Sequence, residues 1–580
     1  MESSRNNSGS IKSINRREWL QGTAAIAIAS ASARASPAFA AVVPRVVFDV
    51  DIFRQPDLVR VFTGDAKDVL QVALRTNSTW SAADVDVTYS LDAERGTIRL
   101  SAASTAVRRV HLRWHGKLGE DMLVLGDAWE RSYADLAWMP VQAERPLPWY
   151  CLLHRRGETL GLGVATGAKA FAFWQVDPAG VSLWLDVRNG GNGVRLGGRS
   201  VDLATVIVEA GAKTESAFEV TRSLCRKMSA RSPMRTQRGG RPLNAIFGSN
   251  DWYYAYGKNT AEGILRDADL VREVSPPGPI QPFSVIDDGY DDRSRFPDIR
   301  KLASDIRSRD VVPGIWVRPT RAASGTKTSL LLPGSRYGRR QERTAGMAYD
   351  PTIPEARLAI LKVVRDAVEW GYDLIKHDFT TYELLGQWGN EMGPSPSLDG
   401  WNFMDRSQTN AEIISSLYRD IRNVAGEGRI VLGCNTVGHL AAGIFDAQRT
   451  GDDVSGRDWE RTRRMGVNTL AFRLPQNGIF FANDADCVPL TKDIPWKLTE
   501  QWLRAVANSG TVLLISPEPG AVGPEQKRAL REAFAVCAAG QAHAEPTDWL
   551  TTRTPAEWSA GAKRETYKWM AEEGASPFSG

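Results

Sequence analysis

Residues 372–383, YDLIKHDFTTYE, decide the fold. Leu374 and Ile375 form an apolar core, and Lys376, His377, Asp378 and Glu383 follow at once. A surface turn needs no lysine and carboxylate two residues apart directly after a buried pair. The end of a barrel strand does. Residues i and i+2 of an extended chain share a face, so Lys376 and Asp378 point one way and His377 the other. On that reading His377 packs behind the wall, and Glu383, past the strand end, is loop or helix-start charge. A purely structural Lys–Asp pair has the same spacing, so the surrounding chain must decide.

Seven more apolar runs flank this one: NAIFGSND (244–251), PFSVIDDGY (282–290), VVPGIWVRP (311–319), RIVLGCN (429–435), AQRTGDDV (447–454), GIFFANDAD (478–486) and GTVLLISPEP (510–519). Helical stretches such as 354–370, 407–424 and 457–474 lie between them. Alternating strands and helices predict a parallel sheet, and eight units predict an α/β catalytic domain, a (β/α)8 TIM barrel over 236–525. The rival, a doubly wound sheet, lacks support because no strand is followed by a G-x-G-x-x-G turn. Nearly every run ends in polar residues: Asn250 and Asp251, Asp287 and Asp288, Trp316 and Arg318, Cys434 and Asn435, Arg449 with Asp452 and Asp453, Asp484 and Asp486. Barrel enzymes build their sites at those ends.

Before the barrel, residues 41–235 show short alternating runs such as TIRLSAAS and SLWLDVRNGG, which predict an all-β sandwich domain. The basic, Gly/Pro-rich 229–244 reads as a linker, and 320–348 as a long basic insertion forming a lid or leaving-group subsite. Residues 526–580 make a short C-terminal segment with room only for a reduced β domain. At the N-terminus, Arg16 and Arg17, a weakly apolar alanine-rich run and AFA at 38–40 have the layout of a twin-arginine export signal over 1–40. The expectation is a bacterial periplasmic or secreted protein with no membrane span in its mature form.

Composition narrows the partners. A net charge of +4 over 580 residues implies no nucleic acid or other polyanion. Nineteen tryptophans suit stacking on sugar faces, or equally the core of a β-sandwich. Five scattered cysteines show no CxxC spacing, and the one HxxxH pair among six histidines, His111 and His115, falls in the alternating strand-type run VHLRWHG, where i and i+4 do not converge as they would on a helix. No disulfide framework, metal or cofactor is therefore expected, although a single disulfide stays open.

Converging carboxylates without metal-ligand spacing suit glycoside hydrolysis, in which two carboxyl groups flank the scissile bond. Asp378 is the nucleophile candidate, kept ionised by Lys376. The second acid comes from Asp452 or Asp453, one of them serving as acid/base and the other capping the helix near 457.

With these residues in place, the chain resembles the retaining α-galactosidases of glycoside hydrolase families 27 and 36, clan D. DLIKHDF resembles their K-x-D nucleophile motif and VIDDGY their DDGW strand. LGCN…FDAQRTGDD and ANDADC are similar to two further family 36 motifs, and NDWYYAYG and YDPTIPEAR fit the same order. The resemblance covers about 245–520. It implies Asp378 as nucleophile and Asp453 as acid/base, with Asp287, Asp288, Trp316, Lys376, Cys434 and Arg449 binding the sugar. It also implies an aromatic from the β-rich domain closing the site, for which Trp138 is the candidate. Tyr290 departs from the usual Trp, and His439 falls where the C2 substituent is read. The implied activity is exo-acting hydrolysis of terminal α-galactose. The alternatives are an α-N-acetylgalactosaminidase, another clan D glycosidase or transglycosidase, and a non-catalytic glycan-binding protein.

Overall fold

A computed structural model describes residues 48–63, 69–92, 94–340 and 347–575. The export-signal reading lies outside the described residues. The β-rich part contains a six-stranded and a nine-stranded sheet, both antiparallel, between Leu58 and Ala210. Alternation builds it: in Val85–Leu91, Val87 and Tyr89 are buried while Thr88 between them is not. The two sheets meet face to face, as when Tyr89 of one packs edge-on to Trp114 of the other at 5.6 Å.

The helix Ala217–Ser229 then lies on the nine-stranded sheet. Its start is a reciprocal cap between Ser216 and Glu219. Gly161 and Gly163 admit it, since a Cβ at either would stand 2.9 Å from Leu224 or 2.6 Å from Met228. The stretch after it is not a loose linker. Gln237–Arg238 and Arg241–Pro242 pair as a short hairpin, and buried Arg238 bonds Asp446 at 2.9 Å and Glu427 at 2.7 Å. A buried guanidinium must be paired, and this one ties the segment to the next domain.

The barrel strands are β1 (Phe247–Asn250), β2 (Phe283–Ile286), β3 (Val312–Val317), β4 (Leu374–His377), β5 (Ile430–Gly433), β6 (Ala447–Arg449), β7 in two halves (Ala482–Asp484 and Val488–Leu490) and β8 (Leu513–Pro517). Every pairing is parallel, β1 pairs with β8, and β7 closes the ring through Asp484–Val512 and Val488–Ile515. The (β/α)8 fold expected from the sequence is therefore present. Period-two alternation sorts its walls. Phe283, Val285, Leu374, Ile430, Leu432, Ala447 and Ala482 share an interior core, while Ile286, Ile375 and Val431 belong to the core outside. The next inward positions are Asp287, Lys376, Cys434, Arg449 and Asp484, so the same alternation that packs the barrel floor aims its polar residues at the mouth.

The barrel's last helix, Pro524–Ala539, packs Phe534 on Phe247 of β1 at 5.0 Å. The boundary expected at 525 therefore falls too early, inside a helix that belongs to the barrel. Beyond it come three short antiparallel strands, Glu545–Pro546, Glu557–Ala560 and Lys563–Thr566. All five cysteines are buried and unpaired, so the disulfide left open by the sequence does not form.

Candidate active site

At the end of β4 the two inward residues take different partners. The Lys376 ammonium donates to Asp287 at 2.6 Å, and both side chains are buried. Burial works against the ammonium, but the Asp287 charge reverses this and holds Lys376 protonated far above its ordinary range. Asp287 is fixed further by Asn250, which donates at 2.8 Å, and by its own N–H, which donates to Asp251 at 2.7 Å. Asp288 is more exposed, its carboxyl pushed up by partial burial and by the Asp287 charge.

Asp378 accepts three hydrogen bonds: from the Trp316 indole at 3.0 Å, the Phe379 N–H at 2.7 Å and the Asn435 N–H at 2.9 Å. Phe379 adopts φ +62°, a conformation rare for a bulky residue, and its N–H turns back onto the carboxylate. Burial pushes the Asp378 carboxyl up, yet Arg131, then Lys376, then these donors leave it below its usual range. Lys376 thus acts on Asp378 through its field rather than by a direct bond, and the larger cationic contribution comes from another domain. His377 points outward into a cage with Tyr418 and Phe445, bonds Thr380, and burial lowers it to about 4.

Beyond β6, Asp453 keeps 40% of its side chain exposed and receives Arg449 at 3.1 Å, with Arg131 at 3.6 Å. Burial raises its carboxyl and the charge of Asp378 adds to that, but Arg449 and Arg131 bring it below the ordinary range. Asp452 turns away, held by Arg461 at 2.7 Å and Arg131 at 3.3 Å. Neither aspartate caps the following helix, because Asp458 does so by accepting from the Glu460 N–H at 2.9 Å. Arg449 also meets Cys434 at 3.5 Å and Asp486 at 2.7 Å. Asp486 sits where β7 is interrupted, at φ +75°, and accepts from the Tyr253 hydroxyl and from the Val454 N–H at 3.0 Å. Burial pushes its neighbour Asp484 up to about 6.

Three expectations need correction. Trp138 does not reach this site; it packs edge-on to Trp549 at 5.7 Å and His154 at 5.8 Å. Trp549 in turn touches Phe218 and Phe472, so Trp138 helps join sandwich, barrel and C-terminal segment into one core. His439 stacks flat on Trp149 at 4.2 Å and bonds the Ala165 carbonyl at 3.3 Å, an interdomain contact rather than a sugar reader. Glu383 does stand in the first turn of a helix, but as a fully buried anchor and not an ordinary charge: it takes Arg318 at 2.5 Å and the Thr320 hydroxyl, while Arg336 of the insertion donates to its carbonyl at 2.7 Å. It anchors the 320–348 insertion to the helix Thr380–Leu385.

The sandwich residue that does reach the site is Arg131, with Glu130 and Tyr133. Glu130 accepts from Tyr133 at 2.6 Å and from Asn435 at 2.6 Å, and Asn435 is the residue whose N–H holds Asp378. The loop ERSYADLAWMP thus meets the site through its charged start, not through its tryptophan, and no local pattern in the sequence distinguishes the two.

No protein-family model matches the chain. Among solved structures the fold is similar to an α-galactosidase from Thermus thermophilus in complex with p-nitrophenyl α-D-galactopyranoside, with TM-score 0.56 and 19% identity over 84% of this chain and 97% of that one. It is also similar to a glycoside hydrolase family 36 α-galactosidase from Geobacillus stearothermophilus, with TM-score 0.52 and 12% identity over 85% and 75% of the two chains. An α-galactosidase from Lactobacillus brevis gives TM-score 0.51 and 12% identity over 87% and 74%. The chain thus has the family 36 α-galactosidase fold, a (β/α)8 barrel preceded by an antiparallel sandwich.

Proposed function

We propose that the protein is a retaining, exo-acting α-galactosidase that releases terminal α-linked galactose from oligosaccharides or glycans. One observation carries the reading: two carboxylates at the barrel mouth, Asp378 and Asp453, held in unlike environments yet within reach of each other's charge. Asp378, hydrogen-bonded and ionised, is set to attack the anomeric carbon from the face opposite the leaving group. Asp453, partly exposed, gives its proton to the glycosidic oxygen as the C1–O bond breaks, and a β-linked glycosyl ester forms on Asp378. Bond formation removes the Asp378 charge that had raised Asp453, so Asp453 stays ionised once its proton has gone to the leaving group and is free to act as the general base that takes a proton from the attacking water. That water attacks C1, the ester breaks, and the α-anomer leaves.

In this reading Asp287, Asp288, Lys376 and Trp316 bind the sugar beside Asp378, with Cys434 and Arg449 on the side of Asp453; the contacts Trp316–Asp378, Lys376–Asp287, Arg449–Cys434 and Arg449–Asp453 support it. The Thermus thermophilus α-galactosidase of similar fold was solved with p-nitrophenyl α-D-galactopyranoside, which supports galactose as the first sugar to test. The test is a panel of nitrophenyl α-galactoside, α-N-acetylgalactosaminide and other glycosides, with the released anomer followed by NMR. Turnover of the α-galactoside with initial release of the α-anomer is expected. Initial release of the β-anomer would refute retention, a preference for the N-acetyl sugar would move the assignment to α-N-acetylgalactosaminidase, and binding without turnover would make the protein a glycan-binding module.

A further inference from the structure

The loop that carries Asp453 is held from two sides. On the barrel side Asp486 accepts the Val454 N–H and pairs with Arg449. On the other side the sandwich loop runs beside it as a parallel bridge, Ser132 to Gly451. The Ser132 N–H donates to the Thr450 carbonyl at 3.0 Å, and the Asp452 N–H donates to the Ser132 carbonyl at 3.0 Å. The neighbour of Ser132, Arg131, is 5% exposed and reaches Asp452 at 3.3 Å and Asp453 at 3.6 Å. Its orientation is set by Glu130 at 3.4 Å, the Tyr133 hydroxyl at 3.4 Å and the Cys434 thiol at 3.9 Å. Main-chain bonds on both flanks and a guanidinium fork over the carboxylates are more than domain packing requires.

We infer that the sandwich domain is a working part of the acid/base: Ser132 splints the 450–453 loop and Arg131 is a positioning residue that aims Asp453 at the glycosidic oxygen. The inference rests on Asp453 being the acid/base. The charged groups facing Asp453 are Arg449, Arg131, Lys376 and Asp378, with the Tyr253 phenol behind; those facing Arg131 are Glu130, Tyr133, Cys434, Asp452, Asp453 and Asp378. Arg131 is the one cation among them contributed by the sandwich domain.

The test uses the full chain with Arg131→Gln and Arg131→Lys, following kcat/KM against pH and across aryl α-galactosides of differing leaving-group acidity. Arg131→Gln removes a cation near both carboxylates, so both limbs of the pH profile move to higher pH. Arg131→Lys keeps the charge and leaves the limbs in place, but loses the fork. Its rate falls by up to about 10²-fold on poor leaving groups. On dinitrophenyl galactoside, which needs no protonation, it stays near the parent value. A uniform loss over all leaving groups with unmoved limbs, or no loss at all, would overturn the inference. If Arg131→Gln does not fold, Arg131→Lys decides through its leaving-group dependence, and Asp452→Asn, which removes an anion beside Arg131, must move the basic limb to lower pH; failure of either refutes the splint. Asp453→Asn separates the two readings. If that variant lacks leaving-group dependence, the acid/base assignment itself fails; if it shows it and the Arg131 variants do not, only the splint does.

Discussion

The ends of β4 and β6 present two aspartates built in opposite ways. Asp378 has its carboxylate oxygens taken by an indole and two backbone N–H groups, all from the barrel. Asp453 accepts no backbone N–H among the described residues; its neighbours are two guanidiniums, one from the barrel and one from the sandwich. Donors to the ionised form lock a carboxylate as an anion and fix its orientation, which suits a nucleophile. A carboxylate held by charge and left 40% exposed can still take and release a proton, which suits an acid/base. The difference between the two environments, more than the mere presence of two acids, carries the mechanism.

The strongest way to break the comparison is Asp378→Asn. The variant keeps the volume and can still accept from Trp316, so the barrel should fold. Turnover of nitrophenyl α-galactoside should fall by about 10⁴-fold or more, and near-normal hydrolysis would end the nucleophile assignment. Asp453→Asn comes next. Loss of a general acid costs about 10²–10⁴-fold on a sugar leaving group, and far less on dinitrophenol. Equal losses on both would show that the two aspartates do not divide the work.

A pH profile sharpens the same contrast. Asp378 must be ionised and Asp453 protonated, and both carboxyls lie below their ordinary range in the free site. The acid limb, set by Asp378, and the basic limb, set by Asp453, are therefore both displaced downward, and kcat/KM should peak on the acid side of neutrality. Stability runs the other way. Burial lowers His111 and His439 to about 3 and His377 to about 4, so these imidazoles stay neutral when folded but charge at about 6.5 when unfolded. The unfolded chain binds the extra protons, hence stability is full above about 6.5 and falls as pH drops from there toward 4. The loss is at most about 1.4 kcal/mol per pH unit for each histidine. Urea unfolding at pH 5 and pH 7 should show it; equal midpoints would contradict the neutral burial of these rings.

The barrel and the inward residues of β4 were legible because alternation is local: Leu374, Lys376 and Asp378 announce one face within five positions. What escaped is non-local. Glu383 follows a strand end and looks like loop charge, and only its contact with Arg318 and Thr320 reveals it as an anchor. The break in β7 depends on Asp486 adopting a positive φ, which no periodicity announces. Arg131 lies in a loop of a different domain, and nothing in its neighbours states that the chain will bring it to Asp453.

Trp138 offers the smallest effect and the sharpest check on that lesson. An aromatic that closed the sugar site would raise KM when trimmed. Here the ring stands edge-on to Trp549 in a buried junction, and its indole N–H has no hydrogen-bond partner among the described residues. Trp138→Phe therefore loses some packing but also removes a buried donor whose desolvation costs about 1–3 kcal/mol. The two changes oppose each other, so the melting temperature should move by only a few degrees, with KM and kcat on nitrophenyl α-galactoside unchanged. A rise in KM with an unshifted melting temperature would return Trp138 to the sugar site and take the aromatic role away from the barrel's own Trp316.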